Sequence, residues 1–335
     1  MPETEKTQFL DNPEFNEWLN ENYPVSIAEY EFNSSEVLYN QKYDRYLEVL
    51  EDYNKDPQLV LERIYKNFPN PIAHYLFEAE ANYQNNHHRL DSLKSCWESI
   101  IFLIFGLVVG EARHRSLSLH SIGLNEWGKF HSDKVHDKLT IVENILDHVN
   151  KHGLPFECKN IIPISTLSDI RKLNQERNGF EHASAKTSKQ QEILYQELFP
   201  ILSKILKELI GLERVIIFRY HNADIPLIPR CEIYNGNSLT GKKDNIVLRK
   251  DNYMEIVDYF NAKSVFASIG GETFCLSPFI HFYQEDHETN ALLCFFKKKK
   301  SGKYKFEVVS KSKEMDFELS DFQEMEEKLK TLIVD

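Results

Sequence analysis

The sequence predicts an α+β protein in which helices come first and strands last. Three observations carry that expectation. Apolar residues recur at helical spacing as far as Leu212. Beyond it the pattern changes to short runs rich in β-branched and aromatic residues, separated by Asn235-Gly236, Gly270-Gly271 and Ser301-Gly302. A hydrophobic share of 41% over 335 residues, with only 12 glycines and 12 prolines, describes a globular chain with room for two or three domains. The expected division is a helical N-terminal region, 1–89, packing on a bundle; an up-and-down helical bundle, 90–211; and a β-rich C-terminal domain, 212–335, built as a small barrel or sandwich with a closing helix.

Asn12-Pro13 starts a first short helix, and Tyr23-Pro24 breaks it. Tyr43, Tyr46, Leu47 and Leu50 form an i, i+3, i+4, i+7 stripe, and a similar stripe over 59–68 ends at Pro69 and Pro71. Aromatic residues at that spacing read as core rather than as a platform for stacked bases. The clearest helix is 91–112, where Leu90, Leu93, Trp97, Ile100, Ile101, Ile104, Leu107 and Val108 recur. Its second half is apolar nearly all round, so it belongs at the centre of a bundle. The apolar run 100–110 is too short to span a bilayer, which needs about 20 residues.

Residues 133–151 form the next helix, with Val135, Leu139, Val142, Ile145, Leu146 and Val149 on one side and Gly153 as its stop. His148 and His152 stand at i,i+4 near its end, with Cys158 beyond. Two histidines so spaced can hold zinc, but no fourth ligand is apparent, and the helix C-terminus favours cations anyway. Neither a metal nor a cofactor is expected. Ser165 or Ser168 is placed to cap the following helix, whose Leu167, Ile170 and Leu173 face inward. A last bundle helix covers 190–210, with Pro200 expected to kink it.

The strand-like runs are 213–220, 231–234, 245–249, 273–282, 291–297 and 303–310, interrupted by a helix over 253–260. The closing helix is expected from Ser320, with Gln323 completing a capping box.

Five cysteines (Cys96, Cys158, Cys231, Cys275 and Cys294) are odd in number and contain no CxxC pair, which fits buried, reduced thiols in a cytoplasmic protein. The polar, acidic start of the chain carries no signal-peptide pattern. A net charge of −12 is awkward for a nucleic-acid binder, since a protein that coats long duplexes normally carries a basic face, and leaves room for one that touches a few phosphates. The strong basic cluster is Lys297, Lys298, Lys299 and Lys300, at an expected hairpin. It reads either as a solvated turn that discourages edge pairing or as an RNA-contact patch.

The chemistry-bearing stretch is 165–185. Within it Arg177 and Asn178 precede His182. Arginine is a permanent cation whose fork fits a phosphate, and histidine exchanges a proton near neutral pH. On an ideal helix, five steps of roughly 100° set Arg177 and His182 about 140° apart. The two meet only if the helix loosens at Gly179, if the long arginine reaches round, or if a second copy of the helix supplies the other half.

This hexapeptide, near the end of one amphipathic segment and before another, resembles the motif of the HEPN superfamily: Arg, a polar residue, variable residues, then His. The resemblance covers about 90–212. It implies a helical bundle, a metal-independent endoribonuclease site built across a homodimer from Arg177, Asn178 and His182, and service as a toxin in bacterial defence, with an antitoxin or sensor protein as possible partner. Two alternatives stay open: an inactive HEPN scaffold that binds protein, and a regulatory partner of a nucleotidyltransferase or other toxin.

Overall fold

Helices occupy the first part of the chain and antiparallel sheets the last, in a computed structural model that describes residues 9, 12–23, 25–27, 30–175, 186–225, 228–249, 251, 264–285, 291–311 and 313–333. Contacts divide the chain into two units, Met1–Arg63 and Ile64–Asp335.

In the first unit, α1 (Pro13–Asn22) begins at Pro13, whose missing N–H is no loss in a first turn. A small hairpin, β1 (Val25–Ile27) and β2 (Tyr30–Phe32), precedes α2 (Ser34–Gln41) and α3 (Tyr43–Lys55). Phe15, Leu19, Tyr39, Tyr46 and Tyr53 make the core. The Tyr46 hydroxyl donates to Asn16 Oδ1 at 2.7 Å, so this buried polar tip is satisfied. The aromatic stripe is therefore core.

Helix α4 (Pro57–Asn67) crosses the division, and α5 (Asn70–Glu80) follows. Pro69 and Pro71 were expected only to end a helix. They also start one, because a proline is tolerated in the first turn.

The second unit is organised on α6 (Asn86–His114), capped by the Asn85 side chain, which accepts from His88 N at 2.9 Å. It meets α5, α7 (Val135–Lys151) and α9 (Ser188–Glu208), and also strands of the C-terminal part. By length and composition α6 could cross a membrane, yet 83% of its most apolar window is buried inside the protein. Because it serves helices and sheets together, residues 64–335 form one unit, and the expected boundaries at 89/90 and 211/212 fall within it.

Helices α6, α7, α8 (Ile164–Gln175) and α9 pack in a ring, each against the next and α9 back on α6. Helix α8 starts directly after Pro163, so neither Ser165 nor Ser168 caps it; the Ser168 hydroxyl donates to Ser165 O instead. Helix α9 is capped by a Thr187/Gln190 box and continues through Pro200. Thr166 bonds Glu208 and Asp169 bonds Lys204, so α8 and α9 run antiparallel. Asn86 at the start of α6 bonds Ser188 at the start of α9, so these two helices begin at one corner. Strict alternation of four helices would set them opposed. The connection 115–134, which carries short helical turns of its own, supplies the extra traverse.

Two antiparallel sheets follow. The first has the order β5-β4-β3-β6-β7, from β3 (Ile216–Ile225), β4 (Ile228–Ile233), β5 (Lys242–Asn245), β6 (Val265–Ile269) and β7 (Glu272–Cys275). The second has the order β11-β10-β9-β8, from β8 (Ile280–Tyr283), β9 (Leu292–Lys300), β10 (Lys303–Val308) and β11 (Lys313–Glu318). The run 273–282, expected as one strand, is two strands in different sheets, with the cis Ser277–Pro278 bond between them. Positive φ at Gly270 and Gly271 (59° and 85°) and at Ser301 and Gly302 (52° and 78°) makes the two tight hairpins that their sequences announce. Asn235-Gly236 is instead a stitch: the Asn235 side chain donates to Asn67 O and Val215 O, and Gly236 N donates to Phe68 O.

The sheets approach α6 at Gly106 and Gly110. A Cβ at Gly110 would stand 3.0 Å from Cys275 O, and one at Gly106 2.7 Å from Ile280 Cδ1. A 3-10 turn, Leu319–Phe322, boxed by Glu318 and Asp321, leads into α10 (Gln323–Ile333), three residues later than the Ser320 start expected. The helix expected over 253–260 lies outside the described residues.

Candidate functional site

Arg177, Asn178 and His182 lie in 176–185, outside the described residues. What surrounds that segment is described. It runs from the end of α8 to the capped start of α9. Lys172 (2.7 Å) and Lys204 (2.5 Å) hold the Asp169 carboxyl down at about 2, and the Lys204 bond pins α8 to α9. On the other side of α8, Arg171 reaches Glu143 of α7 at 2.6 Å and His136 Nδ1 at 3.4 Å. At the far end Asn86 donates to both the carbonyl and the hydroxyl oxygen of Ser188, each at 3.0 Å. One turn on, the Arg89 guanidinium lies 3.7 Å over the Tyr195 ring and bonds Glu80 at 2.9 Å. Two helix N-termini thus meet at Asn86 and Ser188, and their partial positive charges favour an anion there.

The basic cluster is placed in full. Lys297, Lys298, Lys299 and Lys300 end β9 at the Ser301-Gly302 hairpin, as expected. Lys297 pairs with Glu307 across the hairpin and stands 4.7 Å over the Phe102 ring. Lys298 reaches Asp133 at 3.0 Å and, first of all by that hydrogen bond, lowers its pKa. Lys299 reaches Glu326 of α10 at 2.6 Å. Lys300 is exposed. Three of the four lysines therefore have acidic partners inside the protein, and a phosphate would have to compete for them. Replacing all four by serine should lower the melting temperature and leave the salt dependence of RNA binding unchanged. A flattened salt slope would return the cluster to RNA.

The His148 and His152 rings lie 4.5 Å apart between centroids, tilted by 47°, and Cys158 is buried beside Glu111. Among the described residues no group of three His, Cys, Asp or Glu side chains could hold a metal ion. All five cysteines are free and buried.

Sequence reading missed the buried charges, among them Glu111 and Lys138. Glu111 on α6 is wholly buried, yet its carboxylate accepts from Glu157 N (2.6 Å), Cys158 N (2.8 Å) and Arg115 Nε (2.8 Å). It is a satisfied anchor for the loop that leads to α8. Lys138 on α7 is equally buried, surrounded by Phe102, Phe105 and Phe296. The signal for both was present: 138 falls between 135 and 142 in the apolar stripe of α7, and 111 continues the 104, 107, 108 stripe of α6.

No family model, curated protein or solved structure matches the chain.

Proposed function

We propose that this chain is a HEPN-type, metal-independent endoribonuclease that cleaves single-stranded or looped RNA. The observation that supports the reading is the ring of α6, α7, α8 and α9, with the motif residues 176–185 falling in sequence between α8 and α9. The ring departs from the strict up-and-down bundle that the resemblance implies, since α6 and α9 begin at one corner. RNA is favoured over DNA because the nucleophile is the substrate's own 2′-hydroxyl. His182 acts as general acid or base, either taking the proton from that hydroxyl as its oxygen attacks the adjacent phosphorus or giving one to the departing 5′-oxygen, and water completes the other transfer. The products carry a 2′,3′-cyclic phosphate and a 5′-hydroxyl. Arg177 binds the non-bridging oxygens, and Asn178 orients the site. The cytoplasmic setting, the homodimer and a toxin role in defence, restrained by an antitoxin or sensor, complete the proposal.

Cleavage by the purified protein should persist in excess EDTA, since Arg177 takes the place of a divalent cation. Complete loss on chelation, restored by Mg²⁺ or Mn²⁺, would move the chemistry elsewhere. A second reading, an inactive scaffold or regulatory partner that binds protein, is favoured by the internal pairing of Lys297, Lys298 and Lys299. It predicts no RNA cleavage with or without metal.

A further inference from the structure

Lys138 is a cation built into an apolar seam. Its Nζ lies 4.5 Å from the Phe105 ring centroid, 5.2 Å from Phe102 and 5.3 Å from Phe296. Two rings come from α6 and one from β9, so the amine sits where α7 closes on both. It has no exposed surface, and among the described residues its Nζ has no hydrogen-bond partner. An ammonium ion here gives up its hydration for ring faces alone, an incomplete replacement.

The charged neighbours do not remedy this. On β9, Lys297 adds a second cation on Phe102 and opposes protonation. Asp133 and Asp137, at the start of α7, favour it, but Asp133 is already bound to Lys298 at 3.0 Å. Glu326 of α10 is held by Lys299 at 2.6 Å and lies 3.2 Å from His131 Nε2. From α6 come the rings of Phe102 and Phe105.

We propose that the seam between α7, α6 and β9 is a proton-operated latch, closed around the neutral Lys138 amine and opened when that amine takes up a proton from solvent. The same opening would draw Asp133 away from Lys298 and free part of the basic hairpin. Burial above all, and then Lys297, lower the Lys138 pKa to about 7 in the closed state. Opened to water, the side chain returns to about 10.4, the value of a free lysine. Between these limits the open form holds one more proton than the closed form. The opening constant should therefore rise about tenfold for each pH unit lowered through that window. Below about 7 both forms are protonated and the rise stops.

Hydrogen exchange of the full chain, read by mass spectrometry on peptides covering 135–142 and 293–299 and corrected for intrinsic rates, tests the latch. In the wild type, protection should fall about tenfold per pH unit from about 9.5 to 7.5. In Lys138→Met it should be higher and independent of pH, and Lys138→Leu provides a second neutral side chain. A flat wild-type profile overturns the latch, as does a slope that either variant retains. Failure of both variants to fold overturns it too, because the closed state is said to hold an uncharged group.

Discussion

His182→Ala should lower RNA cleavage by roughly 10²–10⁴-fold, the usual worth of general acid–base help. Arg177→Ala should be as damaging, because the phosphate then loses its cation. Both substitutions should leave the far-UV circular dichroism unchanged. The described anchors of α8 and α9 (Asp169 to Lys204, Thr166 to Glu208 and the Thr187 cap) do not involve either side chain. The proposed site is homodimeric, and a twofold interface is the commonest form of such an assembly. Coexpressed single mutants then discriminate. If each site takes Arg177 from one subunit and His182 from the other, the mixed dimer regains activity. If both subunits must supply both residues, it stays inactive while light scattering still reports a dimer. A fully active monomer would remove the dimeric site, and His182→Ala cleaving at the wild-type rate would leave the protein-binding reading in its place.

Glu111→Ala should destabilise the protein by about 3–5 kcal/mol, the range for breaking a buried, hydrogen-bonded charge. The carboxylate receives two backbone N–H groups from the turn at Glu157 and Cys158 and the Arg115 guanidinium. Removing it strands the N–H of buried Cys158 where water does not reach. That turn carries the chain from α7 towards α8, so the loss should spread to the helix that leads into the motif. Glu111→Gln keeps one acceptor oxygen and should cost less. Chemical denaturation of the three proteins gives the comparison. A change below about 1 kcal/mol for Glu111→Ala would mean that the turn holds itself.

Local pattern was enough for much of the architecture. The 3.6-residue stripes of α3, α6, α7 and α9 are set by which side chains lie three and four apart. The glycine-bearing tips at 270–271 and 301–302 are set by the need for positive φ. The change from helices to strands near Leu212 needed nothing more, and neither did the burial of the five cysteines. Elements whose identity depends on what covers them were not legible. Strand β6 is an apolar run buried along nearly its whole length, which periodicity cannot separate from a piece of helix. Strand β11, KEMDFE, is mostly polar and becomes a strand because β10 offers it an edge. Pro71 opens a helix rather than closing one, because its position in the turn decides which.

Function divides along the same line. The sequence by itself determined that Arg177, Asn178 and His182 sit together in a short polar stretch between two amphipathic helices, because identity and spacing along the chain are properties of the chain. Only the tertiary structure decided that β3 pairs with β6, that Lys297, Lys298 and Lys299 already have acidic partners, and that Glu111 is satisfied while Lys138 is not. A charge in an apolar stripe is visible in sequence, but whether it is answered depends on groups brought from elsewhere. Cys158 reaches Glu111 from 47 residues away, whereas to the Lys138 amine the fold brings the rings of Phe102, Phe105 and Phe296 and another lysine.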